Sequence, residues 1–237
     1  MKSNKKSLII ILAIVIVAAC GVAAFFLMTD SMSRSAFSVS RFGAVPGDGD
    51  DDTAAIQKAI NDAPDGGTVY LPKGVYDIST LHIRKPVKLL GKSKEDTVLR
   101  FDGSAGIDEI IRMDGVDGAQ IIGLTIDGQD GKLLLYGINC TGSKHLLIHD
   151  IVLKNLGYGQ FGVYFNGSPD TPGATDSEIS GCVIENIGNK VDPQDDGSLL
   201  QGAGIAFRWR SSRNRALNNT ITNMGRNGIV ANETSTD

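Results

Sequence analysis

Apolar positions fall into three regimes along this chain. Leu8 to Met28 is an unbroken apolar run without a charge. Ala55, Ile56, Ala59, Ile60 and Ala63 recur at i, i+3 and i+4, which marks one face of a short amphipathic helix. From Thr68 onward, short apolar stretches are punctuated by Gly, Asn, Asp and Pro. These predict strands starting at Thr68 to Leu71 and continuing with Ile78 to Ile83, Val87 to Leu90, Thr97 to Phe101 and Ile121 to Ile126. Asp50, Asp51, Asp52 and Thr53 supply N-cap side chains and first-turn negative charge for the helix, and Pro64 with Gly66-Gly67 stops it.

Two registers then repeat. A glycine followed by a β-branched residue occurs at Gly137-Ile138, Gly162-Val163, Gly204-Ile205 and Gly228-Ile229, with the glycines 25, 42 and 24 residues apart. An Asn-apolar-Gly triplet occurs at Asn155-Leu156-Gly157, Asn186-Ile187-Gly188 and Asn223-Met224-Gly225. A period near 24 residues with about three short strands per repeat is the signature of a parallel β-helix, because each coil buries its apolar face only against its neighbours. The spacing of 42 is one coil plus loop, with insertions at Ser168 to Asp176 and Asn189 to Gly202. Asn155, Asn186 and Asn223 fall at equivalent places and predict a stacked amide ladder at a turn.

Alternation along the Gly-Ile/Val strands assigns their two faces. Ile138, Val163, Ile205 and Ile229, with Cys140, Phe165, Phe207 and Ala231, point inward. The opposite parity makes two outward rows: Asn139, Tyr164, Ala206 and Val230, then Thr141, Asn166, Arg208 and Asn232, with Arg210 continuing the second.

Composition narrows the class. The 237 residues are 41% hydrophobic, enough for one sizeable core, and 29 glycines with 6% aromatics favour short strands and turns over a helical bundle. Net charge is −4; without Lys2, Lys5, Lys6 and Asp30 the remaining 20 basic and 26 acidic residues give −6. No clustered basic surface is available for phosphate, so nucleic acid is not an expected partner. Cys140 and Cys182, isolated in strand contexts, read as buried thiols ahead of a disulfide.

The segment 1–28 reads as a membrane anchor or signal segment, since 21 uncharged residues suffice to cross a hydrocarbon core. Lys2, Lys5 and Lys6 keep its start in the cytoplasm and place the rest outside, single-pass. Val17-Ala18-Ala19-Cys20 also resembles a lipobox, so a lipoprotein anchored through Cys20 or a secreted product are the alternatives. Residues 29–38 are a small polar linker, and 39–237 form the β-helix domain. Because Asn227 to Asp237 begins another coil without a capping element, the expectation is a domain truncated at its C-terminus.

The stretch FGAVPGDGDDDTAAIQKAI followed by GGTVYLPKGVYDIS resembles the N-terminal signature of the pectate lyase superfamily, specifically its rhamnogalacturonase and epimerase-like pectate lyase domain. The resemblance covers roughly Phe37 to the C-terminus. It implies an all-β fold, a right-handed single-stranded parallel β-helix with an N-terminal capping α-helix, acting on an acidic or neutral polysaccharide. The same opening precedes lyases, hydrolases, epimerases and non-catalytic binders, so it does not name the reaction.

In a uronate lyase or epimerase the C5 proton leaves next to a carboxylate, which calls for charge neutralisation by Arg, Lys or Ca2+ and for a base. Arg208 and Tyr164, on adjacent coils, are the candidate catalytic residues, with Arg210 binding a second carboxylate. Asn139, Asn166 and Asn232 complete the outward rows as substrate-binding candidates, and Trp209 either packs inward or stacks on a sugar. Asp192, Asp195 and Asp196 form an acidic loop that offers oxygen ligands for Ca2+, against the plainer reading of a solvated loop. His149, His145 and His82 have no evident catalytic partner. The aspartate set and His-Gly of the polygalacturonase type are missing, as is the Tyr-Gly-Phe-Asp-Pro-His motif of alginate epimerases. A lyase acting by β-elimination is therefore the leading expectation, with a glycoside hydrolase or a non-catalytic polysaccharide-binding β-helix as alternatives.

Overall fold

In the computed structural model the described residues are 37–103, 109–131, 134–168, 170–190 and 202–232. Their strands form three parallel sheets, visited in strict rotation from β2 onward. The first sheet contains β1 (Phe37–Ser38), β2 (Thr68–Leu71), β5 (Lys88–Gly91), β8 (Gln120–Ile122), β11 (Leu147–His149), β14 (Glu178–Ser180) and β17 (Arg215–Leu217). The second contains β3 (Gly74–Ile78), β6 (Thr97–Phe101), β9 (Thr125–Asp127), β12 (Val152–Leu156), β15 (Val183–Ile187) and β18 (Thr220–Met224). The third contains β4 (Leu81–Ile83), β7 (Glu109–Asp114), β10 (Tyr136–Thr141), β13 (Phe161–Asn166), β16 (Ala203–Arg208) and β19 (Asn227–Asn232). Each coil contributes one strand to each sheet, which is a parallel β-helix.

The expected strands Ile78 to Ile83 and Ile121 to Ile126 are each two strands. The first breaks between β3 and β4, and the second breaks at Gly123, whose φ is +65°. Both are corners where the chain passes from one sheet to the next, and a continuous apolar run does not reveal them.

Aliphatic columns fill the interior. Leu89, Ile121, Ile148 and Ile179 stack in register from the first sheet, Leu99, Ile126, Leu153 and Ile184 from the second, and Ile111, Ile138, Val163 and Ile205 from the third. All are fully buried, so inward parity on the third sheet holds as expected. Ile229, in the last described coil, is 50% exposed because no described coil covers it. Cys140 and Cys182 are free buried thiols, and burial pushes both pKa values up.

The glycine column has a steric origin. A Cβ on Gly137 would stand 2.7 Å from the carbonyl oxygen of Gly162 and 2.7 Å from a Leu153 methyl; on Gly162 it would stand 2.6 Å from the carbonyl oxygen of Gly204. At Gly137 and Gly162 the neighbouring coil therefore leaves no room for a side chain. The amide ladder is also present. Asn223 Nδ2 donates to Asn186 Oδ1 at 2.6 Å, Asn186 Nδ2 to Asn155 Oδ1 at 3.0 Å, and Asn155 Nδ2 to Asp127 Oδ1 at 2.9 Å. The three asparagines have φ of 57–60°, a left-handed conformation Asn adopts at lower cost than most residues.

At the N-terminal end, helix α1 (Thr53–Asp62) buries Ile56, Ala59 and Ile60 on the first coil. It also satisfies strand edges that would otherwise be bare. Gln57 accepts the His82 N–H at 2.8 Å and donates to the His82 carbonyl at 2.9 Å, completing the edge of β4. Thr53 Oγ1 accepts the Ser79 N–H at 2.8 Å, the Asp52 and Gly47 N–H groups bond Asp77 and Val75 of β3, and β1 pairs with β2. The expected N-cap from Asp52 is not formed: its Oδ1 instead accepts the Val45 N–H at 2.8 Å, while Asp51 Oδ1 takes the Thr53 N–H. Closing the cap loop over the barrel draws Asp52 into the interior, where it is 5% exposed.

Candidate functional site on the third sheet

Register places the outward residues of the third sheet in the two expected rows. Arg112, Asn139, Tyr164, Ala206 and Val230 are successive partners in one; in the other, Asp114 pairs with Thr141, Thr141 with Asn166, and Arg208 with Asn232. The rows are recessed. Asn139, Tyr164 and Asn166 are 8%, 9% and 7% exposed. Packing across the rows accounts for part of this.

Towards the cap the face is polar. Asn166 Nδ2 donates to Asn139 Oδ1 at 2.6 Å, and the Thr141 hydroxyl bridges the two amides. Arg112 donates to Asp114 at 2.6 Å and to Glu109 at 2.9 Å. The Asp114 hydrogen bond, ahead of Glu109, holds the Arg112 pKa above its ordinary value. These three residues belong to β7, which sequence reading did not assign to this face because Ile110 stands where the later coils carry the marker glycine.

Towards β19 the face is aromatic. The Tyr164 ring lies 5.1 Å from Tyr136 and 4.7 Å from Phe161, centre to centre, forming an apolar cluster outside the barrel with Ala203 and Ala206. Arg208 leans back along the sheet so that its guanidinium stands 5.8 Å from the Phe161 ring centre, a cation–π contact. Beside the small side chain of Ala203 lies a depression between the neighbouring coils. It has a volume of about 180 Å³, a floor that includes Phe161, and Arg208 and Arg226 among its lining residues with the amides of Gln160 and Asn227. Arg226, Gln160 and Asn227 escaped sequence reading because they sit at strand starts, where parity gives no guidance.

The other candidates are placed elsewhere. β16 ends at Arg208, and Trp209 and Arg210 follow with φ of 50° and 65°, turning the chain off the sheet. Arg210 therefore does not continue the second row; it lines a separate surface hollow with Asp170, Thr175 and Arg213. Trp209 is 37% exposed and does not pack inward. Asn232 is the β19 partner of Arg208. Asp192, Asp195 and Asp196 lie outside the described residues, and among the described residues no group of three or more His, Cys, Asp or Glu side chains is placed to hold a metal. His149 bonds Ser180 at 3.0 Å on the first sheet and His145 bonds Asp117 at 2.7 Å at a corner, both away from this face. The segment 1–28 also lies outside the described residues, among which no helix is long and apolar enough to cross a membrane.

Residues 36–236 match the family described as rhamnogalacturonase A/epimerase, pectate lyase-like. The chain belongs to this pectate lyase-like family. Over 75 residues it is 41% identical to mannuronan C5-epimerase AlgE3 of Azotobacter vinelandii, covering 27% of this chain and 4% of that protein. Against AlgE6 of the same organism it is 44% identical over 81 residues, covering 29% of this chain and 9% of the relative. The alignments thus span less than a tenth of these curated relatives. Among solved structures, the Agl-KA catalytic domain superposes with a TM-score of 0.56 at 22% identity, covering 83% of this chain and 34% of that one. ORF18 of Geobacillus virus E2 superposes with 0.53 at 17% identity, covering 84% and 50%. At these identities the likeness establishes the shared fold, and the pectate lyase-like assignment rests on the family match.

Proposed function

We propose that this pectate lyase-like domain acts outside the cytoplasmic membrane, tethered by Leu8 to Met28, as an enzyme that modifies uronate-containing polysaccharide on the outer face of its third sheet. The observation that carries the reading is that Tyr164 and Arg208, on adjacent coils, both rest against the Phe161 ring beside the depression. The family membership and the epimerase relatives support the substrate class.

The chemistry begins with removal of the C5 proton by Tyr164 acting as base. The electron pair left behind is delocalised into the neighbouring carboxylate, whose charge Arg208 offsets. In the lyase reading that pair forms the C4–C5 double bond while the C4–O bond breaks, and the departing oxygen takes the proton that Tyr164 removed from C5, which returns the base to its starting form. Retention of the C4–O bond with reprotonation from the opposite face would be epimerisation. A carboxylate-pair hydrolase is disfavoured, because Asp114 and Glu109 on this face are both engaged by Arg112.

Incubation with polygalacturonate, alginate and rhamnogalacturonan, with and without Ca2+, tests the reading. New ultraviolet absorbance from an unsaturated uronide marks a lyase, and deuterium uptake at C5 without absorbance marks an epimerase. New reducing ends without either mark a hydrolase and overturn the proposal. The burial of Tyr164 favours one second reading, a binding module without chemistry, which the same incubations identify by retention of polymer without product.

A further inference from the structure

The strands of the third sheet leave it through a corner, and one corner is built unlike its neighbours. The residue that follows β7, β10 and β13 is glycine each time, Gly115, Gly142 and Gly167; after β16 it is Trp209. Gly115 and Gly142 adopt φ of 60° and 59°, which glycine does without steric cost. Trp209 and Arg210 adopt 50° and 65°, which strains any residue that carries a Cβ. The corner after β16 is also longer than the one after β10. Ser143 Oγ donates to the Met113 carbonyl at 3.1 Å and Ser211 Oγ to the Phe165 carbonyl at 3.0 Å, each reaching the preceding coil. Met113 and Phe165 are both register partners of Cys140, so the two serines hold equivalent places. Gly142 alone separates β10 from Ser143, whereas Trp209 and Arg210 both lie between β16 and Ser211.

A single glycine therefore suffices for this corner, yet the chain holds an indole there on a strained backbone. The ring gains no aromatic or hydrogen-bonded partner by it. Tyr136, Phe161 and Tyr164 pack on one another, but among the described residues Trp209 stacks on no ring and its N–H makes no hydrogen bond, and it is 37% exposed. Arg208 and Arg210 flank it, and Asn166-Gly167-Ser168 leads off the sheet in the preceding coil. A protein or lipid partner calls for a contiguous apolar patch. One aromatic ring among hydrogen-bonding groups instead suits a pyranose ring, whose C–H face covers the indole while its hydroxyls meet the polar rim.

We infer that Trp209 is a sugar-stacking platform, displayed at the end of β16 to take one pyranose ring of the polymer away from the reacting position. The inference rests on the proposed function for the class of polymer. It adds a contact apart from the depression, which Trp209 does not line. A ring face is read through its C–H groups, so the contact is indifferent to the carboxylate and accepts esterified residues as well as free uronate.

Trp209 is the only tryptophan of the chain, so tryptophan fluorescence of the full chain reports this ring alone. Polygalacturonate and its fully methyl-esterified form are expected to shift the emission saturably and alike. Polyacrylate, a polyanion without sugar rings, is expected to leave it unchanged. Trp209→Gly is expected to bind both saccharides about fivefold more weakly by calorimetry, and Trp209→Phe to lose less. Because glycine relieves the backbone, Trp209→Gly should unfold within a few degrees of the parent. A large loss of stability would make the ring a packing element and overturn the inference. So would unchanged emission with both saccharides, a response to the acid but not to the ester, an equal response to polyacrylate, or undiminished binding by Trp209→Gly. If Trp209-dependent binding is found but no incubation gives product, the platform stands and the enzymatic reading falls. If product forms with the same KM in the parent and in Trp209→Gly, the enzymatic reading stands and the platform falls.

Discussion

Arg208 closes β16, yet its guanidinium stands 5.8 Å from the centre of the Phe161 ring at the opposite end of the preceding strand in the third sheet. The side chain is thus folded back along the sheet, so the candidate cation is stationed over the depression and is not extended into solvent. Arg208→Ala is expected to lower kcat on the responsive polymer by roughly a hundredfold, the cost of removing one preorganised charge from a developing anion. Arg208→Lys keeps the charge without the planar fork and should recover only part of it. Steady-state rates checked against unchanged circular dichroism decide this, and undiminished activity of the alanine variant would remove Arg208 from the mechanism.

Asn186 is the middle rung of the amide ladder, donating to Asn155 and accepting from Asn223 at a φ of 60°. Asn186→Ala loses both bonds and places a Cβ in the left-handed region without a compensating side-chain bond. It should cost about 2–3 kcal/mol in denaturant unfolding. Asn186→Gly removes the bonds but relieves the backbone, so its loss should be smaller.

The glycine column offers a paired comparison within one structural position. Gly162→Ala drives a Cβ to 2.6 Å from the Gly204 carbonyl oxygen, whereas at Gly228 the nearest atom is 3.9 Å away. Gly162→Ala is expected to destabilise by about 1–3 kcal/mol through overpacking, and Gly228→Ala to be nearly neutral. Equal melting temperatures for the two variants would show that the coils separate at little cost.

Asp52 provides a pH test of the cap. Burial, partly offset by the Val45 N–H, holds its carboxyl above the usual pKa, and its Oδ2 has no hydrogen-bond partner in the described structure. An acid with a higher pKa in the folded than in the unfolded state stabilises fully below its unfolded pKa, and that contribution is lost as pH rises through the folded pKa. Asp52→Asn keeps the acceptor for Val45 and removes the buried charge. Its unfolding temperature should therefore rise relative to the parent near neutral pH, and the gain should vanish below about pH 3.5, where the parent carboxyl is protonated in both states. A gain independent of pH would assign the effect to something other than the charge.

The sequence by itself determined the coil. Gly137, Gly162 and Gly204 recur where a Cβ would collide with the next coil, and Gly228 repeats them in the last described coil; Asn155, Asn186 and Asn223 recur where side-chain amides can bond from coil to coil; and the inward parity of the third sheet follows from period-two alternation. Those features repeat, and repetition survives in one dimension because each coil must match the next. Which residues come together at the candidate site was decided by the tertiary structure. Phe161, Ala203, Arg208 and Arg226 line one depression in which Arg208 turns back on its own sheet to reach the Phe161 ring, whereas two left-handed residues carry Arg210 away from the face its parity suggested. None of this is periodic. Lateral meeting of side chains from different coils depends on side-chain direction and on the volume left by neighbours, neither of which a strand pattern encodes.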